Sequence, residues 1–218
     1  MNRKVLRNAV WVTAFVATLG CNPASLSYFL FKGDGKAPAE YPIVPAEGRK
    51  DVVIAILMSA PNAPVEFAGI DRDLARNLGH ILTEQSKEKK PQIRVVDQSR
   101  IDRFKNSTAG WKTLSPAEVG KQLGADYVID ASVSGLSLYE AGSGRYMYQG
   151  QGSVDAVVFE TATGKEHSKY FVNAKLEAKP SDSVPPGQYK SLLVQRIADE
   201  LSWKHLPHVT DRRVAPVQ

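Results

Sequence analysis

Residues 51–58, DVVIAILM, constrain this chain more than any other stretch. They form a continuous apolar run rich in β-branched side chains. Such a run, without alternation, marks a strand buried on both faces, as at the centre of a parallel sheet. A strand of that kind needs a covering layer on each side, so the fold is α/β.

The rest of the chain supplies those layers. A loop with Pro61 and Pro64 precedes a helix from Asp71, in which Leu74, Leu78, Ile81 and Leu82 fall at helical spacing. Lys87 to Pro91 ends it, and Ile93–Val96 is a second, short strand. Asp97 or Ser99 caps a short helix containing Ile101 and Phe104. Residues 106–114 read as a loop. Ser115-Pro116-Ala117-Glu118 combines a cap, a proline at the first helical position and a capping-box glutamate, and Gly124 closes that helix. Three long strands follow, 126–140, 145–160 and 165–177, turning at Gly142-Ser143-Gly144 and Ala162-Thr163-Gly164. After a loop at 180–187, a helix over 189–206 carries Leu192, Leu193, Ile197 and Leu201 as its stripe. The order is β-α-β-α-α-β-β-β-α, a single mixed-sheet α/β sandwich with crossovers early and hairpins late.

The first 21 residues read as an export signal. Met1 to Asn8 carries Arg3, Lys4 and Arg7 and no acidic residue, and Ala9 to Leu19 is apolar. Spanning a bilayer takes ~20 apolar residues, whereas a signal's apolar core has ~7–15. Gly20-Cys21 then resembles the lipobox of bacterial lipoproteins, in which the cysteine is acylated and becomes the new amino terminus. The pattern departs from that family at Thr18, where Leu is preferred, with Leu19 one place late. The alternative is an ordinary signal with an incidental cysteine. Cys21 is the only cysteine, so it has no intramolecular partner, and acylation accounts for it. The domain must also be stable without disulfides.

Residues 22–50 read as a tether, rich in Gly, Pro and charge, with the domain over 51–208 and a tail at 209–218. Within the tether Leu26 to Phe31 (LSYFLF) is strongly apolar. It dips into the lipid interface, docks on the domain, binds a partner through Tyr28, Phe29 and Phe31, or packs as a short strand; all four readings stand. The net charge is +5, and three of the positive charges lie in the signal. The mature protein is therefore only slightly basic, which together with export argues against a nucleic-acid partner.

Three segments together resemble a family. They are the buried opening strand with its helix, then Val95-Val96-Asp97 followed by Arg100-Ile101, then 117–129 (AEVGKQLGADYVI), a helix ending in Leu-Gly-Ala-Asp-Tyr-Val and entering a strand. The pattern, over roughly 51–206, resembles envelope lipoproteins of the CsgG and LpoB type and the amino-terminal domain of TolB. The resemblance implies a domain that works by binding other proteins, in export and assembly or in activating a cell-wall synthase. The 117–129 segment also has a local logic: a left-handed cap at Gly124, a small Ala125, and Asp126 bonding backbone donors of the turn. One family type forms a pore by extending hairpins through the outer membrane. Here the 136–159 hairpin has a polar, glycine-rich apex and no lipid-facing stripe, so an accessory role fits better.

Catalytic constellations are weak. His205 and His208 are three apart, but Pro207 lies between them and no Cys or acidic ligand is near, so no metal or cofactor is expected. Gly-x-Ser-x-Gly is absent. Gly142-Ser143-Gly144 and Gly150-Gln151-Gly152 join no strand to a helix, so neither is a phosphate loop. Asp126 and Asp130 share a strand face without forming an acid–base pair. Tyr139, Tyr146 and Tyr148, on facing strands of one hairpin, form either a partner-binding patch or cross-strand packing on the core. The expected function is thus a non-enzymatic, lipid-anchored protein facing the periplasm, on the outer membrane by the weak signal of Asn22 after Cys21. Its partner is an envelope protein or a second copy of itself. A small-ligand or glycan-binding domain is the alternative.

Overall fold

The computed structural model describes residues 36–88 and 91–209. The chain divides into two compact units, 38–208 and a second formed by 1–37 and 209–218. In the second, Lys36–Ala37 is a two-residue strand. Cys21, Tyr28, Phe29 and Phe31 lie outside the described residues.

The larger unit is built on a six-stranded mixed sheet. Its strands are β1 (Asp51–Ser59), β2 (Gln92–Val95), β3 (Tyr127–Tyr139), β4 (Met147–Glu160), β5 (Glu166–Lys175) and the short β6 (Lys179–Pro180). The order is β2-β1-β3-β4-β5, with β6 paired to β4. β1 runs parallel to both neighbours, Ile54 standing opposite Val95 on one side and Tyr127 on the other. β3, β4 and β5 then form an antiparallel meander. The helices are α1 (Ile70–Ser86), α2 (Gln98–Ser107), α3 (Pro116–Leu123) and α4 (Pro186–Trp203). This is the expected mixed α/β order.

Two apolar clusters sit on opposite sides of the sheet, as the unbroken run in β1 requires. Val52, Ile54, Ile56 and Met58 point to α1 and α4, together with Ile129, Val133, Val154 and Val172. Ala55 and Leu57 point the other way, to Ile101 of α2 and Val119 and Leu123 of α3. Asp97, not Ser99, caps α2, its carboxylate accepting from the Ser99 amide at 2.7 Å. α3 has the full capping box, with the Glu118 carboxylate accepting from Ser115 N at 2.7 Å. In α4 the buried stripe is Tyr189, Leu193, Val194, Ile197, Ala198 and Leu201. Leu192, expected in that stripe, faces solvent. α4 lies close on β4 because Gly152 has no side chain: a Cβ there would meet Ile197 at 2.9 Å and Leu136 at 3.1 Å. That close approach is what the glycines of Gly150-Gln151-Gly152 serve.

Three boundaries differ from the sequence reading. α2 runs on to Ser107, and a 3₁₀ turn occupies Trp111–Thr113 of the expected loop. Lys179–Pro180 joins the sheet. The compact unit begins at Pro38 rather than Asp51, because residues of the expected tether enter the core: Ile43 is 4% exposed and Tyr41 packs against the same cluster.

β5 is an edge strand. It alternates Ser168, Tyr170, Val172 and Ala174 on the buried side with exposed Lys169, Phe171, Asn173 and Lys175 on the other. Charged side chains on an edge deter pairing with another sheet.

Candidate functional site

The end of the β3–β4 hairpin brings the three sequence-selected tyrosines to one region but into different environments. Tyr139 stands opposite Tyr148 in the register. Tyr148 is 1% exposed. Its ring stacks on Tyr139 (centroids 5.2 Å apart) and on Tyr189 of α4 (4.5 Å). The stack thus runs from the half-buried Tyr139 into the core. Tyr189 is held in turn: its hydroxyl donates to Glu177 O at 2.8 Å and accepts from Gly150 N at 3.2 Å.

Tyr146 does not join the stack; it is 79% exposed. The turn bonds of the tip explain this. Tyr146 N donates to Ser143 O (3.1 Å), and Glu140 N donates to Met147 O (3.0 Å). Arg145 between them is left-handed, with φ 72°, a conformation that L-residues other than Asn and Asp seldom adopt. The guanidinium lies 5.5 Å above the Tyr139 ring, a cation–π arrangement. Ser181 N donates to Tyr146 O at 2.9 Å, so the tip is braced from the β6 side. The result is an exposed pair, Arg145 and Tyr146, on a support whose inner end is core.

Open clefts lie elsewhere among the described residues. One, of ≈ 570 Å³, is bounded by Val44–Ala46, Lys121, Gly124–Tyr127 and Glu160–Ala162. Both carboxylates of its lining are already engaged: Asp126 accepts from Val53 N at 2.8 Å and from the Arg49 guanidinium at 2.6 Å, and Glu160 accepts from the Thr163 hydroxyl at 2.7 Å. The partner of Asp126 is therefore β1 as well as a flanking arginine, rather than donors within the turn. Asp130 is exposed on β3 and lies apart from this network. The second cleft, of ≈ 480 Å³, runs between the β5 edge and α4, with Phe171, Arg196, Trp203 and Lys204 in its lining. Its charges are paired internally, Arg196 with Glu200 and Lys204 with Glu40, both at 2.5 Å.

The histidines stand in different environments. His80 and His167 are exposed. His208 stacks on Trp203, centroids 5.0 Å apart. His205 points inward, 3% exposed. Its Nδ1 donates to Tyr41 O at 3.0 Å, and its Nε2 accepts from the Tyr170 hydroxyl at 2.7 Å. Burial pushes the His205 imidazole down to about 4 and raises the Tyr170 phenol. Among the described residues no three His, Cys, Asp or Glu side chains gather as metal ligands, and no helix is long and apolar enough to cross a membrane.

The His205 network is the feature that sequence reasoning missed. Its partners are 164 and 35 residues away, and the only signal was an aromatic residue in a proline-rich stretch.

No protein-family model and no curated protein matches the sequence. Among solved structures the chain is similar to a PelC dodecamer from Paraburkholderia phytofirmans. That likeness has 14% identity and a TM-score of 0.44, and covers 75% of this chain and 95% of that one. It is similar to lipoprotein GNA1162 from Neisseria meningitidis, at 14% identity and TM-score 0.42, over 71% of this chain and 99% of that one. It is also similar to the LpoB C-terminal domain from Salmonella enterica, at 11% identity and TM-score 0.35, over 61% and 87%.

Proposed function

We propose that this chain is a bacterial envelope lipoprotein, anchored through acylated Cys21, that acts by binding another envelope protein rather than by catalysis. The observation that carries the binding role is the Arg145–Tyr146 pair, exposed on a tip braced by the Tyr139–Tyr148–Tyr189 stack. Rigid aromatic and arginine side chains give interface area at low entropic cost. The absence of catalysis is supported by Asp126 and His205, whose polar atoms are committed to structural bonds. The anchor is supported by the signal, its apolar core and the lone cysteine. The partner belongs to envelope assembly, transport or cell-wall synthesis, and Asn22 favours the outer membrane.

Two experiments test this. Cys21→Ser should lower the mass by the lipid and release the protein from membranes; a variant that stays membrane-bound with unchanged modification overturns the anchor. A photocrosslinker at Tyr146 in the native envelope should capture a defined protein identified by mass spectrometry, either an envelope component or a second copy. Capture equal to that of a crosslinker at a remote exposed site such as His80 overturns the binding role.

A second reading, a small-ligand or glycan-binding domain, is favoured by the ≈ 480 Å³ cleft with Phe171 and Trp203 in its lining. That volume lies within the range of ligand pockets, ~300–1,000 Å³. A thermal shift with cell-wall fragments, lost on Trp203→Ala, would select it.

A further inference from the structure

Residues 38–46 lead into β1 as a strap across the domain, and the strap is fastened by few groups. Tyr41 N donates to Lys204 O at 2.7 Å, and Tyr41 O accepts from His205 Nδ1 at 3.0 Å. The Tyr41 ring stacks on Tyr170, centroids 5.6 Å apart. Glu40 pairs with Lys204, Ile43 is buried in the core, and Val44 O accepts from the Tyr127 hydroxyl at 3.0 Å. The strap also walls both clefts: Pro38 and Glu40 line one, and Val44–Ala46 the other.

His205 is the point where the strap, β5 and the end of α4 meet. While neutral it satisfies both neighbours without a buried charge, one ring nitrogen donating to the Tyr41 carbonyl and the other accepting from the Tyr170 hydroxyl. The groups that face it are Tyr170 and His167 from β5, Tyr41 from the strap, and Lys204 beside it in the chain. None is a carboxylate. Glu40, beside Tyr41 in the strap, is held by Lys204. A proton on His205 therefore creates a buried, uncompensated cation. Because Tyr41 and Tyr170 close off the ring, moving the strap away lets water reach it.

We propose that residues 38–46 are a releasable strap, latched by neutral His205 and unlatched when that histidine is protonated. Unlatching frees nine residues, ~30 Å of extended chain, and removes one wall from each cleft while the sheet stays folded. The open strap exposes an ordinary histidine titrating at 6.5, against about 4 in the latched state. At about pH 4 the open fraction should therefore rise on the order of 100-fold over its neutral-pH value.

Amide hydrogen exchange on the full chain tests this, read by mass spectrometry at neutral pH and at about pH 4. Strap residues 38–46 and strand residues 127–134 are followed separately, after correction for the intrinsic rate. The expected result is loss of protection in the strap with the strand still protected. In His205→Gln, which keeps a donor and an acceptor but takes up no proton, the strap should stay protected in acid. Equal opening in His205→Gln assigns the effect to Glu40 or another carboxylate and overturns the proposal, as does simultaneous loss from strap and strand. Should His205→Gln fail to fold, the wild-type ring can be titrated by NMR. Its midpoint should coincide with the change at the Tyr41 amide, and a ring that titrates with no such change refutes the latch.

Discussion

A Cβ placed on Gly120 of α3 would come within 2.5 Å of the Thr161 hydroxyl, beyond the end of β4, and within 2.6 Å of a Val128 methyl. Both neighbours are fixed: Val128 is core and Thr161 is buried. Gly120→Ala should therefore force α3 off the sheet and cost about 1–3 kcal/mol. Gly152→Ala presses on the end of the Ile197 side chain, which can rotate, and should cost less. Urea unfolding midpoints of the two variants check the ranking, and equal midpoints would contradict it.

Asp126 ties the α3–β3 turn to β1 twice, accepting from Val53 N through its carboxylate and donating its own amide to Val53 O at 2.7 Å. Asp126→Ala leaves the half-buried Val53 amide without its acceptor and should cost about 1–3 kcal/mol. Asp126→Asn keeps an acceptor oxygen and should recover at least half of that loss in the same denaturation assay. If Asn and Ala are equally damaging, the charge paired with Arg49 matters more than the bond to Val53.

His205 also gives the whole fold a pH dependence. Its imidazole is depressed to about 4 in the folded protein against 6.5 unfolded, so the unfolded chain binds the extra proton between those values. Stability is then complete above pH 6.5 and falls as pH drops towards 4, by roughly 3 kcal/mol in total. In His205→Gln this contribution to the slope should vanish, which denaturation at stepped pH values measures.

At the hairpin tip, stability and binding should separate. Tyr148→Ala empties a core position between two stacked rings and should cost about 3–5 kcal/mol. Tyr146→Ala, at an exposed turn position, should shift stability by less than about 0.5 kcal/mol while reducing partner capture at least tenfold. A Tyr146→Ala protein that captures its partner normally places the interface elsewhere.

The difference between those two tyrosines shows where reading the residues stops. Alternation along 145–160 puts Tyr146 and Tyr148 on one face. The left-handed Arg145 starts the strand two residues late, so Tyr146 leaves the pleat. Features set by neighbours in the chain were legible: the doubly buried 51–58, the box at Ser115 and Glu118, the left-handed cap at Gly124. Features set by approach across space were not. Nothing near Tyr41 announces that His205 will take its carbonyl. The spacing of Gly150 and Gly152 does not announce α4 above them. Leu192 fits a helical stripe as well as Leu193 does, and only the tilt of α4 on the sheet chooses between them.

The edge strand β5 has a consequence of its own. A sheet that ends, among the described residues, on a ten-residue border strand is a template on which identical molecules polymerise. Lys169 and Lys175 on that border make each arriving copy meet its own charge, so wherever these proteins are crowded, growth of a fibre by stacking β5 on β5 is disfavoured from its first step.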